Sequence, residues 1–459
     1  MANREDTIVI EKKDIESPDL LNYLREEITI DEIKNIESPK RLNSIDFVKG
    51  FSIIFIILAH YAEPWFNTDW LFLWGIVFAF LDILGPTMFV FLSALSVIFT
   101  IKRKENQLSQ NAIRDRIFSR GLSIILIGGV FNILFYGGGT IFPLNFWGWN
   151  ILFFIGFSQI FSYYALKVGK IPRVIIGVIL LQYGPNIREF FYYNRGDNIF
   201  YSIIDFIINS PVPQLPVLPY ISICFISTIF GEYLYEAMII GTDEALRKLF
   251  KMFFYSGIFL ICAGIFFGFR LETPYTVDPA LYPHVGLFTS ANTNPFIPLG
   301  RYPGMPAFLI RAYSSNLWYN IGFAIFIMGI ALYYIDIKKK DNLFIKMVIF
   351  YGKISLSLFL ILFVFLGLFY RAFEIWFFAF TYIAFTGFLG FLMYVWIKYF
   401  NGVGSPEWLM IQIGKITQKT DEEITKTSKK VYKKTKEGIQ KTEEFIKGKH
   451  KKNKKDSVS

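Results

Sequence analysis

The chain has 459 residues, of which 53% are hydrophobic, 19% aromatic and only 18% charged. Soluble chains carry nearer a quarter charged residues, and 52 Phe gathered in runs exceed what one soluble core holds. Runs of about 17 or more mostly apolar residues can cross a bilayer as helices, so soluble, disordered and disulfide-scaffold classes are excluded. The composition implies an all-α, polytopic transmembrane helical bundle.

The net charge of +10 is unevenly spread. Residues 1–43 carry 7 basic and 11 acidic side chains, whereas residues 415–459 carry 15 basic and 7 acidic ones. The basic balance therefore belongs to loops and a tail and speaks of a membrane surface rather than a nucleic-acid partner. Cys224 and Cys262 both lie in apolar runs, where a structural disulfide is not expected. The polar N-terminus has no cleavable signal pattern, so the first span is expected to direct insertion. The organisation expected is an acidic cytoplasmic arm (1–43), a membrane domain (44–400) and a Lys-rich, amphipathic cytoplasmic tail (401–459).

Taken in chain order, the apolar segments predict about ten spans: 47–63, 83–101, 117–136, 150–168, 172–185, 216–240, 251–270, 316–335, 353–370 and 375–397. Residues 70–81 are apolar too, but Asp82, Gly85 and Pro86 interrupt them, which suggests an interfacial or re-entrant helix leading into the second span. With a cytoplasmic N-terminus, the inner loops gather Lys102, Arg103, Lys104, Arg114, Arg116 and Arg120, then Lys167, Lys170 and Arg173, and later Lys338, Lys339, Lys340 and Lys346. Outer segments 62–69 and 137–149 hold no Lys or Arg. That bias predicts an even number of spans with both termini inside, and a plasma membrane by default. In the tail, Ile413, Ile424, Thr435 and Ile446 recur every 11 residues, the period of a nearly straight helix. Both a surface helix on anionic lipid and a solvated tail fit that pattern.

Ionisable groups at membrane depth are costly, so each invites a reason. On the first span, Lys49 and His60 are 11 residues apart, nearly three helical turns. They share one face about 16 Å apart along the axis, and Asp46 lies one turn from Lys49. Gly50 permits close approach of a neighbouring helix. His60 has the intrinsic basicity to accept a proton from an incoming hydroxyl or amine, but an interfacial histidine bonded to Tyr61 or Glu63 fits equally. Only His284 and His450 accompany it, too few for a multi-histidine metal site.

Further along, Ser93 and Ser96 suit packing or substrate contact, and Asn132, Asn150 and Gln159 suit interhelical hydrogen bonds. Glu232 and Glu236 mark a solvated helix end or a counter-charge for a ligand, and Arg371 and Glu374 are expected to pair with each other. The Pro- and aromatic-rich stretch from Arg270 to Ser315 predicts an irregular outer cover. Its His284 and Arg301 either contact an outer substrate or merely cap the bundle.

Five motifs in order resemble the transmembrane acyltransferase superfamily, most closely the catalytic domain of heparan-α-glucosaminide N-acetyltransferases and more distantly the acyltransferase-3 family. Arg41-Leu-Asn-Ser-Ile-Asp46-Phe-Val-Lys49-Gly50 running to His60 is similar to the family's opening helix. Pro86-Thr-Met-Phe-Val-Phe-Leu-Ser93-Ala94, Arg116-Ile-Phe-Ser-Arg120-Gly121, Asn150-Ile-Leu-Phe-Phe-Ile-Gly156 and Gly352-Lys353-Ile-Ser355-Leu356 resemble the later ones. Lys49 stands at the family's arginine, Ala94 at its glycine, and Phe153 where some members carry histidine.

The resemblance implies transfer of an acyl group, typically acetyl, from a cytoplasmic acyl-CoA to a glycan or lipid-linked acceptor on the outer side, with no metal. It places His60 as acyl carrier or general base with Asp46 and Lys49 beside it, and puts Lys49, Arg116, Arg120 and Ser93 at the donor. Two other classes remain open from the residues: a proton-coupled transporter or flippase using Asp46, Lys49 and His60, and a non-catalytic scaffold acting through its tail. An oligomer is compatible with all three.

Overall fold

The computed structural model describes residues 42–104, 110–135, 143–209, 215–273, 275–282, 285 and 304–408. These residues are almost entirely helical, and the chain is a multi-pass membrane protein. Among the described residues seven helices are long and apolar enough to span a bilayer, or eight if one bent pair counts as a span.

Helix α1 (Asn43–Trp65) lies at the centre, with Val48, Ile53, Ile57, Tyr61, Ala62 and Trp65 wholly buried. α2 (Leu71–Leu81) follows, and a short 3-10 turn at Asp82–Leu84 separates it from α3 (Pro86–Lys104). The break predicted at Asp82–Pro86 is thus present. Next come α4 (Gln110–Phe135) and α5 (Ile151–Ala165), the latter N-capped by Asn150, whose side chain accepts from Phe153 N. α6 (Lys170–Tyr193), α7 (Ile199–Asn209), α8 (Val217–Ile240) and α9 (Asp243–Phe267) complete the first part of the bundle.

Two short antiparallel strands, β1 (Leu271–Glu272) and β2 (Met305–Pro306), lie on either side in sequence of the segment expected to form an outer cover. Tyr282 of that segment packs its ring 4.6 Å from that of Tyr313 and donates to Glu189 Oε1 at 2.8 Å. α10 (Ser314–Ala331) runs into a π-turn at Leu332–Ile337, followed by α11 (Leu343–Lys353), α12 (Ser355–Leu362) and α13 (Ile375–Phe400).

Two expected spans are corrected. The fifth, predicted over 172–185, does not stop at Gly184-Pro185 but continues to Tyr193. Its exposed Ile171, Ile175, Ile179, Tyr183 and Ile187 recur every four residues, a lipid-facing stripe, while Arg173 and Arg188 are buried on the other side. The ninth, predicted as one helix over 353–370, is a pair bent by 74° at Ile354, with α11 lying in what reads as an inner loop. The expected total of ten also counts α5, of 15 residues, and α6, whose apolar run is interrupted by Arg173, Gln182 and Asn186.

Polar pairs knit the helices together. Arg173 reaches Glu232 at 3.0 Å and Lys170 reaches Glu236 at 3.9 Å, so the two glutamates clamp α8 to α6. Asn150 donates to Gly128 O at 2.9 Å and to Asn132 Oδ1 at 2.6 Å, the interhelical role expected of these amides. Arg371 and Glu374 do not pair with each other. Arg371 donates to the carbonyls of Glu63 (2.6 Å) and Phe66 (3.2 Å), while Glu374 accepts from Trp70 and Asn67. Both fasten the end of α1, because carbonyls freed at a helix C-terminus and nearby N–H donors are closer partners than each other.

Candidate active site

Two glycine crossings position the site. A Cβ built on Gly50 would lie 1.8 Å from Val348 O, and one on Gly352 would lie 1.8 Å from Asp46 O, so α1 and α11 touch backbone to backbone. Gly121 of α4 and Gly156 of α5 meet in the same way, each Cβ falling within 3 Å of the other's carbonyl. All four glycines belong to the sequence motifs. Close backbone contact in a membrane requires small residues, which is why the motifs carry them. The start of α1 is also held from afar: Asp336 accepts from Asn43 N and Ser44 N, each at 3.2 Å, and so caps the helix.

Between these crossings lies a cavity of about 180 Å³. Lys49, Arg120 and Lys353 line it together with Ser93, Ser96, Gln159, Ser355 and Glu407. Ser158 donates to Ser93 Oγ at 3.2 Å, and Ser96 to Ser93 O at 2.7 Å, which fixes the serine ledge on α3. Apolar side chains, among them Ile56, Ile124, Leu152 and Phe359, line the rest of the wall. Three cations and several hydroxyls in a partly apolar chamber suit a ligand with an anionic end and a neutral end.

His60 stands outside the lining of this cavity. Its Nδ1 lies 2.9 Å from Ile56 O, so the carbonyl, an obligate acceptor, fixes the ring proton on Nδ1 and leaves the Nε2 lone pair available. The ring packs edge-on against Phe363 (5.0 Å) and Phe359 (6.0 Å). Phe359 therefore borders both His60 and the cavity.

Of the residues expected from sequence, Lys49, Arg120 and Ser93 are brought together around the cavity. Arg116, one turn earlier on α4, is not among the lining residues. Asp46 is buried on α1, 1% exposed, one turn before Lys49. His284 and Arg301 lie outside the described residues. Sequence reasoning assigned no site role to Lys353, Ser355 or Glu407. The first two sit in a motif that was visible, whereas Glu407 had no signal beyond its charge.

Residues 41–257 match the family model described as heparan-alpha-glucosaminide N-acetyltransferase, catalytic. Over that stretch the chain is similar to that catalytic domain. The match spans just under half of the chain, from the start of α1 into α9, and supplies Lys49, His60, Ser93, Arg120 and Gln159. The α11–α12 wall of the cavity and Glu407 lie beyond it. No curated protein matches the chain. The heparan-α-glucosaminide N-acetyltransferase-like segment supports a membrane acetyltransferase type of function.

Proposed function

We propose that the protein transfers an acyl group, acetyl by family analogy, from an acyl-CoA in the cavity to an acceptor amine or hydroxyl that reaches His60. The observation that carries this reading is the shared Phe359 wall. A cationic, hydroxyl-lined chamber lies on one side of the ring, and an imidazole with an available Nε2 lies on the other. Lys49 and His60 are separated by about 16 Å of helix, a length that an extended donor bridges with its anionic end at Lys49, Arg120 and Lys353.

In the reaction, the acceptor oxygen or nitrogen attacks the thioester carbonyl while His60 Nε2 takes its proton. The C–S bond breaks, and the departing thiolate takes up a proton. His60 can instead attack the carbonyl itself and carry the acyl group to the acceptor in a second step. The donor enters from the side where α1 begins, cytoplasmic by the loop-charge pattern, and the acceptor, a glycan or lipid-linked sugar, comes from the other.

The test is acetyl-CoA binding and turnover by the purified protein in detergent, wild type beside Lys49→Ala and His60→Ala. Binding weakened about tenfold by Lys49→Ala fits loss of one charge-assisted contact. Turnover reduced at least about a hundredfold by His60→Ala, with binding retained, fits loss of a general base or nucleophile. Full turnover in His60→Ala would remove that residue from the chemistry.

A further inference from the structure

The cavity contains an anion of the protein's own. After α13 the chain reverses through Asn401, Gly402 and Gly404, all at positive φ, and residues 405–408 fold back against the membrane domain. Glu407 thereby reaches α12, where Ser357 N donates to its Oε1 at 2.9 Å and the Ser357 hydroxyl donates to its Oε2. Ser357 is 5% exposed, so this carboxylate is held by two donors in the first turn of a helix, where N–H groups and the helix dipole favour negative charge. Lys49, Arg120 and Lys353 line the same cavity.

The volume points the same way. At about 180 Å³ the chamber falls short of the roughly 300–1,000 Å³ typical of sites for ligands of drug size or above. A phosphate-bearing, thioester-carrying donor needs more room than this. The segment that can yield is the short return after α13, which among the described residues is held to the cavity by the Glu407–Ser357 hydrogen bonds. Moving α1 against α11 instead would break the Gly50–Gly352 crossing.

We infer that Glu407 is an autoinhibitory occupant of the donor cavity, holding by its carboxylate the seat that a donor phosphate takes when it displaces residues 405–408. The inference rests on the reading of the cavity as a donor site. It makes acyl-CoA binding a competition between the donor's phosphates and an internal carboxylate, which lowers apparent affinity by the fraction of molecules in which the seat is open.

The experiment uses the full-length protein in detergent, wild type beside Glu407→Ala and the nearly isosteric Glu407→Gln, each checked for thermal stability. Acetyl-CoA and inorganic pyrophosphate are titrated separately. Removing one charge-assisted occupant is expected to tighten both by about tenfold in Glu407→Ala, with Glu407→Gln also tighter than wild type. Acetyl-CoA binding to wild type that is unchanged or weakened in both variants overturns the latch. If pyrophosphate tightens in the variants while acetyl-CoA binds to none, the internal anion stands and the acyl-CoA reading falls.

Discussion

Gly50 and Gly352 face each other at the crossing of α1 and α11, each so close to the opposite backbone that an added Cβ would fall 1.8 Å from a carbonyl oxygen. The next residue after each glycine in one case, and before it in the other, is a lysine of the cavity: Lys353 follows Gly352 and Lys49 precedes Gly50. Two motifs separated by some three hundred residues thus converge because their glycines allow contact, and the cations ride on the glycines.

Gly50→Ala or Gly352→Ala is therefore expected to damage both stability and the site. The obstruction is backbone, which cannot rotate aside, so the cost exceeds the about 1–3 kcal/mol usual for overpacking. Thermal unfolding in detergent should shift down for either variant, with acetyl-CoA binding lost in the fraction that remains folded. A Gly50→Ala protein as stable as wild type would show that the crossing is not as tight as described.

Arg116 and Arg120 occupy one face of α4 four residues apart, yet only Arg120 lines the cavity. Arg120→Ala is expected to weaken acetyl-CoA binding about tenfold, while Arg116→Ala leaves it within about twofold once corrected for folded protein. The check is a pair of titrations at matched ionic strength. Equal losses in both would mean that the donor extends along α4 beyond the cavity.

Much of this arrangement was legible in the sequence. The helices were visible because apolar runs of bilayer length have one stable form in lipid, and the break before Pro86 because Asp, Gly and Pro cluster there. Lys49, Ser93 and Arg120 were legible as members of motifs. The bend at Ile354 was not, since α11 and α12 are each too short to read as spans and lysines precede them. Arg371 and Glu374 illustrate another limit: spacing suggested a pair, but each found backbone or indole partners on the α1–α2 connection that no local pattern reveals. Glu407 is the clearest case. Its place depends on a chain reversal after the last helix, and nothing in the sequence marks this carboxylate as held against a serine.

Phe359 separates His60 from the cavity, and its ring also packs against Phe131 at 5.7 Å. Shortening it by Phe359→Leu keeps an apolar wall but removes the ring that, on the proposed reading, shields a thioester beside the imidazole from water. Acetyl-CoA hydrolysis without acceptor is expected to rise several-fold, with binding little changed. A release assay for free thiol measures this directly. Unchanged hydrolysis alongside normal transfer would place the donor's path elsewhere.

Glu374 closes the far end of α1 by accepting from Trp70 Nε1 and, at 3.0 Å, from Asn67 Nδ2. The Trp70 hydrogen bond, with help from Asn67, holds its carboxyl below the ordinary value of 4.5. A depressed folded-state pKa means that the contribution to stability is complete above the unfolded value. It is then lost as pH falls through the folded one. The α1–α2 connection should therefore loosen in the window from about pH 4.5 downward. In Glu374→Gln the neutral amide retains an acceptor but no charge, so this acid-dependent component should vanish. Thermal midpoints of the two proteins are expected to differ at pH 7 and to converge as pH drops below that window. A difference that stays constant across the titration would assign the Trp70–Glu374 contact to neutral hydrogen bonding alone.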